Sequence, residues 1–489
     1  MSTLQTGVHY PISIKALPTS WEAGYVGDFA LEIQPGFASG KHNKEGRGIP
    51  HLRPFNINRL GKLDLATIKY VARDSDAKRL HSGDVLFNNT NSPELIGKTS
   101  VVAAAGEWGF SNHMTRIVFS DDVSPRFAAY QLHYLWMSGY FLYNCVRHVN
   151  QASVSSKTLA RSVPFVKPPR PQQDRIVAEI EKQFSRLDKA VANLKRVKAN
   201  LKRYKATVLK AAVEGSLVVP ESVLARRVNR PYETGADFLE HVVTEREDAF
   251  SKRGRKYREP DIPSGTLPPL PPGWCWASWD QISVWVTYGF TRPMPHVKDG
   301  IPIVTARHVL NGRIDVSSTE KTTLSAFKEL SEKDKPARGD ILITKDGTIG
   351  RSAVVESSDP FCINQSVAVV WLCSNRLDRR FLRLVIESPT TQRHVSAKAR
   401  GVAIQHLSIT DFARMPVPFP PRVEQERIVA EVERRLSVIE ELEAAVEANV
   451  KRADRLRQTT LSHAFSGRLL LAPKMYEPVD QNTLAVAHE

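Results

Sequence analysis

The chain has 489 residues, with 68 Lys and Arg against 52 Asp and Glu, a formal net charge of +16. That length exceeds one ordinary domain and suggests about three units; the excess of positive charge points to a polyanionic partner, most simply nucleic acid. Four cysteines without a CxxC pair exclude a disulfide framework or zinc ribbon and fit a reducing cytosol. The opening MSTLQTGVHYPISIK lacks the charged start and apolar core of a signal peptide, and no apolar run approaches the ~18 residues of a membrane span, so a soluble, cytoplasmic protein is expected.

In chain order, the first globular segment, 1–170, opens with Leu17-Pro18 and Trp21. Short β-branched runs bounded by glycine follow, at Gly48-Ile49-Pro50, at Gly83-Asp84-Val85-Leu86-Phe87 and at Gly97-Lys98-Thr99 before Val101-Val102. They read as strands and hairpins. A helical pattern covers Pro125–Arg147, and PFVKPPRP leads into a long helix over 171–218. Its apolar residues Ile176, Ile180, Phe184, Leu187, Val191, Leu194 and Leu201 fall at threes and fours, a narrow coiled-coil seam. The stretch 219–272 is polar, charged and proline-rich, and reads as a connector rather than a core. A second globular segment, 273–423, then repeats the plan: Gly300-Ile301-Pro302, Gly339-Asp340-Ile341-Leu342-Ile343, Gly350-Arg351-Ser352, and a helical pattern over Leu377–Lys398. A second long helix over 424–470 has its seam at Ile428, Val432, Leu436, Ile439, Leu442 and Val446, and a tail occupies 471–489.

The two long helices are copies at a constant offset, QDRIVAEIEKQFSRL at 173 matching QERIVAEVERRLSVI at 425, and each ends at a glycine, Gly215 or Gly467. Both are acidic early and basic late. An antiparallel pair sets each basic half beside an acidic one, so the expected fold is mixed α/β: two globular units in a pseudo-twofold arrangement, separated by two long antiparallel coiled-coil helices. The alternative is that these charges are merely solvated outer faces. A two-fold reader with divergent globular units would meet two different DNA half-sites at a spacing set by the protein.

Candidate DNA contacts rest on side-chain chemistry and placement. Asn88, Asn89, Thr90, Asn91 and Ser92 form an amide-rich loop after a strand; Asn pairs with adenine and Ser holds phosphates, though both residue types also favour turns. The comparable loop in the second half carries Thr344, Lys345, Asp346, Gly347 and Thr348. Asp346 there suits a cytosine amine, or closes a tight turn with Gly347. Arg53 and Asn56 follow Gly-Ile-Pro in the first half, and Arg307 and His308 occupy the same stretch in the second; arginine reads guanine but also makes surface ion pairs. Lys98 and Arg351 suit phosphate neutralisation. Asn112-His113 and Asn364-Gln365 lie at matching offsets, with Asn112 paired to Asn364, where an asparagine serves as a contact or as a cap. The cluster Lys252–Arg258 lies on DNA or forms a solvated linker.

Catalytic patterns fail on their own residues. SPELIGKT at 92–99 ends like a phosphate-binding loop, yet Ser92 stands where its first glycine belongs. The Pro-Pro pairs precede Arg170, Leu270, Gly273 and Arg422, never the aromatic of an adenine methyltransferase tetrad, and no GxSxG turn occurs. A non-catalytic binding protein with no metal site is expected. A structural adaptor bridging proteins, or a fused nuclease or methyltransferase with a degenerate motif, remain alternatives.

Two divergent globular segments alternating with two similar long helices resemble the DNA specificity subunit of type I restriction-modification systems, over nearly the whole chain. The most specific residues are PP-x-x-x-Q-[DE]-R-I-V-A-E-[IV]-E at 168–181 and 420–433, with the Trp/Pro-rich starts at Leu17–Trp21 and Leu270–Trp276 and the GDVLF and GDILI strands. The resemblance implies a split, asymmetric double-stranded DNA target and two methyltransferase subunits recruited through the helices. It also implies endonuclease/translocase subunits in the full complex. No cofactor is expected on this chain, with S-adenosylmethionine, ATP and Mg on its partners.

Overall fold

The computed structural model describes residues 5–39, 42–72, 78–103, 107–398 and 405–470; the tail over 471–489 lies outside them. The chain forms two units, one of Met1–Lys195 with Glu447–Glu489 and one of Arg196–Val446.

The first unit begins with β1 (Glu22–Tyr25), α1 (Val26–Phe29), β2 (Ala30–Pro35), β3 (Ile49–Leu52) and β4 (Lys69–Val71). Next come β5 (Val85–Asn88), β6 (Thr90–Asn91), β7 (Thr99–Val101), β8 (Gly109–Phe110) and β9 (Met114–Phe119). The unit continues with α2 (Pro125–Met137), α3 (Tyr140–Tyr143), β10 (Val146–Arg147), β11 (Ala152–Ser153), α4 (Ser156–Ser162), β12 (Pro164–Lys167) and the start of α5 (Arg170–Val213). The sheets are an antiparallel β2-β9-β5-β7, a β4-β3-β8 in which β3 and β8 run parallel, a β1-β12 pair, and β10-β11-β6. Alternation along β5 separates two cores: Val85 and Phe87 pack towards Phe127, Leu132 and Leu135 of α2, while Leu86 packs with Leu52, Ile57 and Phe110.

The second unit repeats this order. It holds the end of α5, α6 (Glu221–Arg227), α7 (Gly235–Lys252), β13 (Cys275–Ser278), β14 (Ser283–Tyr288), β15 (Ile301–Val304), β16 (Val309–Leu310), β17 (Arg313–Ile314) and β18 (Glu320–Thr322). Then follow α8 (Leu324–Lys328), β19 (Ile341–Thr344), β20 (Ser352–Val354), β21 (Cys362–Ile363) and β22 (Val367–Leu372). Last are α9 (Arg379–Glu387), α10 (Pro389–Lys398), α11 (Ile409–Ala413), β23 (Pro416–Phe419) and the start of α12 (Arg422–Phe465). Its sheets β14-β22-β19-β20, β18-β15-β21 and β13-β23 match three sheets of the first unit strand for strand, including one parallel pair, β15 with β21, whereas β16-β17 here and β10-β11-β6 there are without a counterpart.

Both long helices end on a left-handed glycine, Gly215 (φ +70) and Gly467 (φ +76), with Ser216 N–H reaching Ala211 O and Arg468 N–H reaching His463 O, so the last carbonyls are satisfied. In each unit the early half of one helix meets the late half of the other, which is antiparallel pairing. Ile176, Ile180 and Phe184 pack with Leu461, Ala464 and Phe465 in the first unit, and Val208, Leu209 and Ala212 with Ile428, Val429 and Val432 in the second. Asp188 of α5 pairs with Arg457 of α12, an early acid with a late base. Leu442 departs from its expected seam place and is 47% exposed.

Three sequence expectations are corrected. The helical pattern over Pro125–Arg147 breaks at Gly139, in the left-handed region, and Val146–Arg147 is strand β10. The pattern over Leu377–Lys398 splits at Ser388-Pro389, because proline cannot continue a helix already under way. Most of all, 219–272 is not only a connector. Helix α7 buries Phe238, Val242 and Phe250 in the core of the second unit, and its Arg246 is fully buried against the Phe250 and Tyr257 rings. Beyond it, Arg253 stacks 4.3 Å from the Trp371 ring, Arg255 lies 3.7 Å from that of Trp285, and Arg258 pairs with buried Asp280 at 2.8 Å. Three arginines of the basic cluster thus make contacts within the second unit, while Lys252 and Lys256 remain exposed.

Candidate nucleic-acid interface

In each unit one chain crossing gathers the candidate residues. After β2 the chain leaves its sheet at Gly36, and Phe37 bridges in parallel to Ser111; after β14 it leaves at Gly289, and Phe290 bridges in parallel to Asn364. The crossing is so close that a Cβ on Gly36 would be driven into the Phe110 carbonyl oxygen, and one on Gly289 into that of Ile363. Asn112 N–H then donates to Phe37 O at 3.1 Å, and Gln365 N–H to Phe290 O at 2.8 Å. Asn112 is therefore the counterpart of Gln365, one residue away from the expected pairing with Asn364. Asn364 matches Ser111 instead: its Oδ1 accepts from Ser366 N at 3.1 Å, as Ser111 Oγ accepts from His113 N at 3.2 Å. Both Asn112 and Gln365 are exposed, so each unit presents a carboxamide at the same topological point, that of Asn112 accepting from Ser111 Oγ at 3.3 Å.

The loop after β5 meets this turn. Asn89 N–H donates to His113 O at 3.1 Å; in the second unit Lys345 N–H donates to Ser366 O at 2.9 Å. Asn89 and Lys345 are thus counterparts, as are Thr90 and Asp346. Ser366 also accepts from Ala306 N through its hydroxyl at 2.9 Å, which draws the exposed Arg307 towards Lys345, Asp346 and Gln365. The second unit's loop from Thr344 to Gly350 is three residues shorter than its counterpart from Asn88 to Gly97, so shape as well as charge differs.

Several expected contacts point inward. Asn56 and His308 close the same turn: Asn56 Oδ1 accepts from Arg53 N at 2.9 Å, and His308 Nδ1 from Thr305 N at 3.0 Å. Both are buried, and burial together with neighbouring Arg307 holds His308 below the ordinary histidine value. The position matching Arg307 is consequently the half-exposed Phe55, and Arg53 matches Thr305. Asn88 is fully buried, with its amide on Leu95 O at 3.3 Å; Asn89 donates to Asn112 O at 3.1 Å and Thr115 Oγ1 at 2.9 Å. Lys98 is buried, its ammonium on the carbonyls of Pro54 and Ile57, and burial lowers its pKa. These five are framework, because amides and an ammonium shut away from solvent must spend their hydrogen bonds internally.

The accessible remainder divides by unit. In the first, Asn91, Ser92 and His113 are half-buried beside exposed Asn112, and Arg53 lies 2.9 Å from the Nδ1 of His42. Burial and then Arg53 lower the His42 pKa. In the second, exposed Arg307, Thr348 and Gln365 stand with half-buried Arg351. Asp346 is held between Lys345 at 2.8 Å and the His406 ring at 2.8 Å, and Gly347 beside it is left-handed. Tyr288, with Lys333 and Lys345 each within 5.4 Å of its ring, joins this surface without any sequence pattern to single it out. Among the described residues no group of three or more His, Cys, Asp and Glu is placed to hold a metal, and no helix is long and apolar enough to cross a membrane.

Residues 296–452 match the family model described as Type I restriction modification DNA specificity domain. The specificity subunit of the type I restriction enzyme EcoBI from Escherichia coli is 29% identical over 185 residues, 37% of this chain and 38% of that one. The putative type I restriction enzyme MjaX specificity subunit of Methanocaldococcus jannaschii is 29% identical over 36% of this chain and 41% of its own. The chain thus spans about two fifths of the length of these relatives. In fold, it resembles a solved chain described under complex assembly and conformational transition of the type I R-M system, with TM-score 0.65 and 18% identity over 93% of this chain and 99% of that one. The HsdS subunit from Thermoanaerobacter tengcongensis aligns with TM-score 0.50 and 17% identity over 93% and 98%. Family model, relatives and fold agree with the doubled plan of strands and helices: residues 296–452 carry a type I restriction-modification DNA specificity domain, and the chain is similar in sequence and fold to specificity subunits of such systems.

Proposed function

We propose that this chain recognises a bipartite, asymmetric sequence in double-stranded DNA, performs no chemistry itself, and recruits methyltransferase and endonuclease subunits. One observation carries the reading: a framework repeated strand for strand presents different side chains at equivalent accessible points. Asn112 is answered by Gln365, Phe55 by Arg307, and Thr90-Asn91 by Asp346-Gly347. A constant scaffold with changed loops is what two half-sites of different sequence require. The net charge of +16 supplies the phosphate attraction. Val197, Tyr204, Val438 and Leu442 are 43–48% exposed on α5 and α12, an apolar surface suited to the helices of methyltransferase subunits. S-adenosylmethionine, ATP and Mg then belong to those partners.

Co-expression with the cognate methyltransferase subunit, followed by a methylation map of host DNA, tests this. Two short, different elements at fixed spacing, each methylated, are expected. A stable complex that methylates nothing would make the chain an adaptor.

A further inference from the structure

The first unit carries a β-hairpin whose first strand lies at the end of the stretch with a helical pattern, Pro125–Arg147. Strands β10 and β11 pair Val146 with Ser153 and Arg147 with Ala152, and β11 continues onto β6 of the amide loop, Ala152 against Asn91 and Ser153 against Thr90. His148 N–H closes the turn on Gln151 O at 2.7 Å, and the His148 ring lies 3.2 Å from Ser153 Oγ. Every residue from Val146 to Gln151 is exposed, and Val149 at the tip is 99% exposed. Among the described residues, the Asn150 and Gln151 carboxamides have no partner.

A hairpin with a bare valine at its tip gains nothing by burial within its own unit, so its residue types must be explained by what they meet. Charge narrows the answer. No Asp or Glu occurs between Asp122 and Asp174, and Arg147, Lys157 and Arg161 carry the charge of this stretch, while Arg126, Lys167 and Arg170 pair with Glu181, Asp122 and Asp174. The hairpin therefore rises from an acid-free stretch beside Asn91, one hydrogen-bonded layer from His113 and Asn112. A two-stranded ribbon fits the ~12 Å major groove. There carboxamides pair with adenine, a valine methyl meets the thymine methyl, and Arg147 reaches phosphate or guanine.

We propose that the hairpin Val146–Ser153 enters the major groove and reads base edges of one half-site, with Asn150 and Gln151 as specificity-determining residues. This rests on the DNA-recognition reading above. The test maps methylation by the complete chain with its methyltransferase subunit, for the unaltered protein, Asn150→Ala and Gln151→Ala. Discrimination at one or two adjacent A·T pairs of a single element should fall by about one to two powers of ten, with the other element unchanged. Variants that keep the full target would overturn the hairpin's role while leaving DNA recognition in place. Absence of any target for the unaltered chain would overturn the recognition reading, and the hairpin's role with it. If either variant lowers the melting temperature, Asn150→Ser and Gln151→Ser, which keep a residue suited to turns at each place, decide by the same criterion.

Discussion

Asp340 stands just before β19, where its carboxylate accepts from Ala337 N at 2.9 Å as Asp84 accepts from His81 N at 2.7 Å in the first unit. Burial pushes the Asp340 pKa up to about 6, against the pull of the Ala337 N–H, Arg253 and Arg379. Because the fold holds this carboxyl protonated to higher pH than the unfolded chain does, its contribution is complete below the unfolded value near 3.8 and lost as pH rises through about 6. Asp340→Asn should flatten the pH dependence of stability between those values, followed by urea midpoints across that range. At the crossings, Gly289→Ala forces backbone apart at a parallel bridge. It should cost about 2 kcal/mol or more in denaturant unfolding, against a few tenths for an ordinary surface substitution. The same crossings explain why Asn112 answers Gln365 rather than Asn364. The step between copies is 252 at β3 and β15 but 253 at Phe37 and Phe290, so the recurrence of asparagine at 112 and 364 is coincidence within a drifting register. Residue type flagged exposed Asn112 and buried Asn88 alike, since an amide that reads a base and one that holds a loop look the same in sequence.

Long periodic helices were legible to within a few residues, because a seam repeated over tens of residues leaves no other fold for it. The shorter α7 was not. Its buried stripe falls at every fourth place, Phe238, Val242, Arg246 and Phe250, and the arginine within it disguises the pattern. The aromatic stacks beyond α7 give the basic cluster a structural duty that can be measured. Replacing Arg253 and Arg255 together with alanine should lower the stability of the second unit by about 1–3 kcal/mol, since each guanidinium–ring contact is worth roughly 0.5–2 kcal/mol. The salt dependence of DNA binding should barely move, because side chains spent on Trp371 and Trp285 release no counterions from phosphate. A slope reduced by about two charges would return the cluster to the DNA.

Each unit has its own core and its own set of accessible loops, which makes recognition modular. Exchanging 1–170 for the matching segment of a relative should change one element of the methylated target and leave the other, as read from a methylation map. The exchange succeeds only if the incoming segment fits Ile176, Ile180 and Phe184 of α5 and Leu461, Ala464 and Phe465 of α12, which close the first core and are not exchanged.

That closure imposes an order on biosynthesis. The second unit is drawn from one continuous run of chain, Arg196–Val446, whereas the first borrows residues beyond Glu447. A ribosome adding ~5–20 residues per second has finished residue 195 some tens of seconds before Phe465 leaves the exit tunnel. Throughout that interval Phe127 and Tyr134 await the ring of Phe465, and Phe184 awaits the guanidinium of Arg457, so the part of the protein made first is the part completed last.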